Sequence, residues 1–140
     1  MAVIDGTDMI LGRLASIIAK TIINGEEVHV INAEKIRVIG NPIQIVERYA
    51  QKRRLQNKGT PEHSPHYPRV PHLFVKRIIR GMVPYKRATG RAAMKRLRIY
   101  AGNPKALENT AKYEELRADD KKRSITIGQI CRQLGYNNYN

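Results

Sequence analysis

The chain has a single cysteine, no long apolar run and no recognisable leader. Cys131 cannot form an internal disulfide, so nothing indicates an oxidising compartment. No stretch reaches the roughly 18 apolar residues of a membrane helix, and no basic, apolar, small-residue leader opens the sequence. We therefore expect a soluble, cytoplasmic protein with no membrane partner. At 140 residues the chain can form one domain whose core needs no disulfide or metal.

Acidic residues are almost missing between Arg48 and Arg98, a stretch that we call the central basic segment. It holds fifteen Lys/Arg and one acid, Glu62, whereas the rest of the chain has eleven residues of each sign. The whole net charge of +14 therefore lies in this segment. Uncompensated cations repel one another in a folded protein unless a polyanion neutralises them, and a surface that only confers solubility mixes both signs. A phosphate backbone is the expected partner.

Catalytic, cofactor and metal motifs are also missing. Gly6 and Gly12 resemble the first turn of a dinucleotide-binding unit, but neither the G-x-G-x-x-G fingerprint nor a P-loop occurs. The side chains that could bind zinc lack paired short spacings and lie mostly among cations: His63, His66, His72 and Cys131. No Ser-His-Asp or Cys-His arrangement can be argued. We predict no catalytic residue, no cofactor, no metal and no small-molecule substrate.

Hydrophobic periodicity predicts a β-α-β start. Residues 2–5 form a short apolar run, and residues 11–23 repeat apolar positions at helical spacing before Asn24-Gly25, a common helix stop. Residues 28–32 and 36–40 are β-branched runs, typical of buried strands. The residues between them are too few for a parallel crossover. These two runs therefore either pair antiparallel or do not share the core sheet.

Further helices are expected on both sides of a proline-rich loop. Asn41 is a predicted cap for a helix over 42–56, and four prolines between 57 and 71 exclude a continuing helix. A helix over 72–82 has two faces, and Leu73 is the one apolar residue on its cationic side. Its predicted apolar side contains Phe74, Val75, Ile78, Ile79 and Met82, and its basic side Lys76, Arg77 and Arg80.

A second basic helix over 88–97 follows, and then a candidate strand over 98–102. Residues 103–123 mix charges with few apolar residues, which predicts a surface excursion. Thr126 and Gln129 have the spacing of a capping box, and Gly135 would end that last helix.

The two basic helices and the Gly-Met-Val-Pro turn between them form the predicted nucleic-acid surface. Their cations suit phosphates, and Tyr85 could stack on an exposed base. The predicted RNA-binding side chains are Arg48, Lys52, Arg53, Arg54, Lys58, Arg69, Lys76, Arg77, Arg80, Tyr85, Lys86, Arg87, Arg91, Lys95 and Arg98. Because the chain has few aromatic residues, specificity is expected to come from RNA shape.

Several motifs occur together in order: LGRLAS (11–16), VINAEKI (30–36), PRVP (68–71), RGMVPYK (80–86) and GRAAMKRLRIYAG (90–102). Through them the chain resembles the large-subunit ribosomal protein thirteen family in its archaeal and eukaryotic form. The resemblance implies an α/β fold of three layers, α/β/α, around a small, mainly parallel four-stranded sheet, with basic helical and loop extensions. The resemblance also implies a single domain, 1–140. Residues 1–102 would form the core shared by the family, and residues 103–140 a variable surface excursion followed by a C-terminal helix.

The resemblance also implies a function. A family member is a non-catalytic structural component of the large ribosomal subunit that binds ribosomal RNA and supports subunit assembly, in contact with neighbouring ribosomal proteins. Carried over to this chain, its RNA-facing segment includes Arg69, Arg77, Arg80, Gly81, Pro84 and Lys86.

Two other functions stay open from the sequence. A nucleotide-dependent RNA-modifying domain would use the turn from Gly6 to Gly12, and tight binding of a nucleotide cofactor would favour it. An architectural DNA-binding protein would use the same cations, and competition between duplex DNA and large-subunit RNA distinguishes it.

Overall fold

The computed structural model describes residues 1–104, 106–108, 113–119 and 121–137. Five strands and five helices occur there. The strands are β1 (Ala2–Asp5), β2 (Val28–Ile31), β3 (Arg37–Ile39), β4 (Leu97–Ile99) and β5 (Ser124–Thr126). The helices are α1 (Leu11–Ile23), α2 (Pro42–Arg54), α3 (Pro71–Gly81), α4 (Ala88–Lys95) and α5 (Ile127–Gln133), with 3₁₀ turns at Ala33–Lys35, Pro61–His63 and Glu114–Leu116. None of the helices in these ranges has both the length and the apolar character to cross a bilayer.

The predicted β-α-β start is confirmed. Strand β1 pairs in parallel with β2, and α1 connects them across the sheet. Helix α1 buries one stripe of side chains, including Leu14, Ile18 and Ile22, because these positions repeat at helical spacing. The helix ends where expected: Gly25 has a φ of +103°, a left-handed conformation that glycine adopts without a steric penalty.

The α/β class is confirmed, and the strands divide between two sheets. Strands β1, β2 and β4 form a parallel sheet in the order β1-β2-β4, while β3 and β5 pair antiparallel. The prediction was one four-stranded sheet. The difference arises directly after β2, where the 3₁₀ turn at Ala33–Lys35 leaves no room for a crossover. Strand β3 therefore lies outside the main sheet. This is the second of the two alternatives given above, that residues 28–32 and 36–40 do not share the core sheet.

The core lies between the parallel sheet and the helices. Ile4, Val30 and Leu97 project from one sheet face into a cluster with side chains of α1, α3 and α4. The other face carries Val3 and Ile31, which are also buried. Burial on both faces explains why consecutive positions are apolar in β1 (Val3-Ile4) and β2 (Val30-Ile31).

Part of the surface excursion predicted over residues 103–123 lies outside the described residues (105, 109–112 and 120), and among the described ones the segment around Leu116 is attached to the fold. The Ile10 N–H donates to the Leu116 carbonyl, and the Ala118 N–H donates to the Asp8 carbonyl, each over 2.8 Å. Leu116 is only 7% exposed and belongs to the core cluster. Backbone hydrogen bonds therefore hold residues 116–118 against the first β-α turn, with Leu116 in the core and Arg117 exposed.

The predicted C-terminal helix is confirmed as α5. The Gln129 N–H donates to Thr126 Oγ1, and the Thr126 N–H donates to Gln129 Oε1 in return. This reciprocal capping box satisfies two backbone donors at the start of the helix. Gly135, with a φ of +94°, follows the end of the helix as predicted.

Candidate nucleic-acid interface

Helix α3 has the two-faced character that its sequence predicts. Pro71, Phe74, Val75 and Ile79 are buried, whereas Lys76 and Arg80 are exposed. The prediction for Met82 was wrong: it follows the last helical residue and is 43% exposed, because the chain has already left the helix there. Anchored by its apolar face, α3 holds its cations towards solvent in fixed positions.

The turn between α3 and α4 is held by close backbone packing. Val83 is buried, and the N–H of Arg87 donates to the Pro84 carbonyl over 3.0 Å. Gly90 of α4 lies directly against this turn, since a Cβ built on Gly90 would be 2.1 Å from the Pro84 oxygen. Only a residue without a side chain permits that approach. The position of Tyr85 relative to α4 therefore depends on Gly90.

Two grooves flank the ridge formed by Arg77, Arg80 and Tyr85, which belong to both. The first groove has a volume of about 920 Å³. It lies between the proline-rich loop, α3, α4 and β4. Its other lining residues are Ser64, Pro65, His66, Pro68, Leu73, Lys76, Arg91, Met94, Lys95, Leu97 and Arg98.

The second groove, of about 510 Å³, lies between α2, α3 and the turn. Its other lining residues are Tyr49, Lys52, Tyr67, Phe74, Ile78, Gly81 and Lys86. Tyr49 meets Phe74 edge to face with ring centroids 4.7 Å apart, and burial raises the pKa of Tyr49. The groove therefore has an aromatic wall beneath its cations.

Tyr67 fixes the proline-rich loop against the helices, a role that sequence reasoning missed. The Arg77 guanidinium stacks 3.9 Å from the centre of the Tyr67 ring, and the Lys52 ammonium lies 5.5 Å from it. Arg53 donates a hydrogen bond to the Tyr67 carbonyl. The only signal in the sequence is a tyrosine between two prolines, which does not reveal its distant partners.

The predicted RNA-binding residues separate into two groups. Those that line a groove are Lys52, Lys76, Arg77, Arg80, Gly81, Tyr85, Lys86, Arg91, Lys95 and Arg98. Those that line neither groove are Arg48, Arg53, Arg54, Lys58, Arg69 and Arg87. All sixteen are exposed except for Lys52, Arg53 and Arg77, which are half-buried.

Arg53 and Arg69, which line neither groove, contact other parts of the protein. Desolvation, with repulsion from Arg69, lowers the pKa of Arg53, whose side chain holds the loop. The Arg69 guanidinium lies beside Gly135, just beyond the end of α5.

The cations of the central basic segment are not neutralised by carboxylates of the described residues. Within those residues, an ion pair joins Arg37 and Asp8 over 2.7 Å, outside the segment. A surface of one sign produces a strong positive potential in its clefts. The charge separation seen in the sequence is therefore preserved in the folded protein.

The other candidate sites do not form functional clusters. Cys131 is fully buried in the core, where burial raises the pKa of its thiol to about 12, whereas His63 and His66 are exposed in the loop. Among the residues that the structure describes, no group of three His, Cys, Asp or Glu side chains could hold a metal ion. Gly6 packs against Ile36, since a Cβ on Gly6 would lie 2.7 Å from that side chain. This contact gives Gly6 a structural role.

The fold and these grooves define an α/β protein with a cationic surface suited to polyanions. Comparison with known proteins agrees: residues 1–106 match the family model of ribosomal protein L13. The chain belongs to the ribosomal protein L13 family, as the resemblance indicated.

Curated relatives extend the similarity beyond residue 106. The chain is 40% identical to large ribosomal subunit protein uL13 of Methanococcoides burtonii, with 96% of this chain and 98% of the relative covered. It is 41% identical to the Methanopyrus kandleri protein of the same name, covering 96% and 86% respectively. The corresponding protein of Methanocaldococcus jannaschii is 40% identical, with coverage of 96% and 98%. These relatives are archaeal, as expected from the motifs.

Proposed function

We propose that this protein is a structural component of the large ribosomal subunit that binds ribosomal RNA through the two grooves and the surrounding cations. The observation that carries the proposal is the set of mostly exposed cations on both sides of α3, which no carboxylate of the described residues neutralises. Membership of the ribosomal protein L13 family supports it, as do relatives named large ribosomal subunit proteins. The protein has a structural role and no catalytic one.

Affinity arises from phosphate contacts. Each phosphate that a lysine or arginine neutralises releases counterions, so affinity falls steeply as salt increases. Anchoring of α3 and α4 lowers the entropy cost of binding, since the cations are already in place. Gly81 at the end of α3 is exposed and has no heavy atom within 4 Å of an added Cβ, so the RNA backbone can approach closely there.

In the subunit, the protein stabilises folded RNA and supports assembly. The α4 cations line the first groove, Lys52 of α2 lines the second, and Arg77 and Arg80 of α3 line both, so different RNA segments can be bound side by side. Neighbouring large-subunit proteins are further partners. The protein functions in the ribosome, within the cytoplasm.

The test is a double substitution, Arg91→Ala with Lys95→Ala. Both residues are exposed, line the first groove and lie one helical turn apart on α4. We expect weaker binding to isolated large-subunit ribosomal RNA and a smaller slope of log affinity against log salt, by up to about 0.7–0.9 for each phosphate that is no longer neutralised. Fluorescence anisotropy across a salt series measures both quantities.

The matched control is Arg13→Ala with Lys20→Ala on α1. These two residues are also exposed and carry the same charge, but they lie outside the central basic segment. An equal change of slope in both double variants, or no change in either, would contradict the proposed surface. Arg77 is unsuitable for this test because it also stacks on Tyr67.

Two further measurements separate the alternatives. Duplex DNA that competes as well as large-subunit RNA at physiological salt would favour an architectural DNA-binding protein. Sedimentation with large subunits after a high-salt wash is expected on the proposed function.

A further inference from the structure

Leu73 is an exposed apolar side chain on the cationic face of α3. It is 43% exposed, and it lines the first groove close to Lys76 and Arg77. Such a leucine contributes little to the core and leaves apolar surface in water. Its position is explained if a partner covers it when the groove is filled.

The first groove continues this apolar surface inwards. Met94 and Leu97, both largely buried, and the prolines Pro65 and Pro68 contribute to its lining. Tyr85, 44% exposed, adds an aromatic ring whose neighbour is the Arg80 guanidinium at 5.1 Å. The groove is open to solvent, and its volume of about 920 Å³ leaves room for a nucleotide base.

Positively charged side chains also line the first groove. Its cations are Lys76, Arg77, Arg80, Arg91, Lys95 and Arg98, and no acidic side chain lines it among the described residues. A site for phosphate alone needs cations but no apolar lining. A site for an apolar peptide needs the lining but gains nothing from so many cations of one sign. The combination matches a nucleotide, which joins a flat base to an anionic backbone.

We propose that the first groove binds an unpaired nucleotide of the RNA, with its base against Leu73 and Tyr85 and the flanking phosphates on the surrounding cations. This inference rests on the proposed function and specifies the kind of RNA element that the groove recognises. A base inside a continuous duplex is already stacked and paired, so it cannot reach an apolar lining between two protein elements. Bulges, loops and strand ends supply bases that can.

The test compares three RNA probes with equal numbers of phosphates: oligouridine of about twelve nucleotides, its abasic ribose-phosphate counterpart and a blunt RNA duplex. Oligouridine should bind the full chain about tenfold more tightly than the abasic strand, since stacking one base contributes enough for such a ratio. It should also bind more tightly than the duplex. Anisotropy titrations at one fixed salt concentration measure all three affinities.

Leu73→Gln should reduce the ratio of oligouridine to abasic affinity to less than about threefold, because it removes the apolar surface without changing charge. The matched control is Leu55→Gln. Leu55 is 59% exposed and lines neither groove, so that ratio should stay as in the wild type. Tyr85→Ala, which acts through another side chain of the groove, should reproduce the effect of Leu73→Gln and serves if that variant fails to fold.

Three outcomes would overturn the inference: equal affinity for oligouridine and the abasic strand, no detectable binding of oligouridine, or duplex binding as tight as oligouridine binding. Each can occur while Arg91→Ala with Lys95→Ala still weakens ribosomal RNA binding. In that case the base site is rejected and the proposed function stands. If, in addition, the double variant binds ribosomal RNA as tightly as the wild type, the proposed function is rejected together with the base site.

Discussion

Replacing Gly90 by alanine should separate the turn at residues 82–87 from α4. The new methyl group would lie 2.1 Å from the Pro84 oxygen, 2.4 Å from the Pro84 carbonyl carbon and 2.9 Å from the Tyr85 nitrogen. All three atoms belong to the backbone, so no side-chain rotation relieves the clash. Ordinary contact begins at 3.4 Å, and the turn would have to move by about 1.3 Å to restore it.

Two opposing effects set the magnitude. Alanine stabilises a helix interior by about 1 kcal/mol relative to glycine. Overpacking typically costs about 1–3 kcal/mol, and a clash with rigid backbone belongs at the upper end of that range. We therefore expect Gly90→Ala to lower the free energy of unfolding by about 2 kcal/mol. Since Tyr85 and Lys86 belong to the displaced turn, ribosomal RNA affinity should fall as well.

Urea denaturation of the two glycine variants gives a direct comparison. Gly81→Ala is the control, because Gly81 is also helical but its added Cβ meets no heavy atom within 4 Å. Gly81→Ala should leave the free energy of unfolding unchanged or raise it by up to about 1 kcal/mol. Wild-type stability for Gly90→Ala, or an equal decrease in both variants, would refute the packing argument.

Three other substitutions test separate features. Thr126→Ala should lower the free energy of unfolding by about 1 kcal/mol in urea denaturation, since it removes the α5 capping box, whereas Thr126→Ser should retain most of it. Arg77→Lys keeps the charge but removes the planar stack on Tyr67. Amide hydrogen exchange in residues 64–70 should become faster, while the slope of log RNA affinity against log salt is unchanged. Exchange rates equal to those of the wild type would contradict the role of Arg77 in holding the loop. Desolvation, with repulsion from Lys76, lowers the pKa of His72, so the unfolded chain binds a proton that the folded protein disfavours. The free energy of unfolding should therefore rise with pH between the lowered pKa of the folded protein and the ordinary pKa of 6.5, and stay level above it. Urea denaturation across this pH range measures the rise, which His72→Gln should lack.

Elements with strong local patterns could be predicted. Helix α1 follows from its apolar spacing and its Asn24-Gly25 stop, and α5 from Thr126 and Gln129. The α/β class, the family and the basic character of α3 and α4 were likewise visible in the sequence. Strand ends differ from the prediction, since the helical pattern over 88–97 includes Leu97, which begins β4. Boundary residues depend on tertiary hydrogen bonds as well as on local preference.

Sequence order and composition alone determined that the positive charge lies in one segment and that α3 has an apolar and a basic face, because charge and helical periodicity are properties of the linear chain. Only the tertiary structure decided that β3 pairs with β5 and that Leu116 belongs to the core. It also brought Tyr67 under Arg77 and placed Leu73, Tyr85 and Met94 in one groove. These contacts join residues distant in sequence, and no local pattern specifies which distant partner a side chain meets in the packed fold.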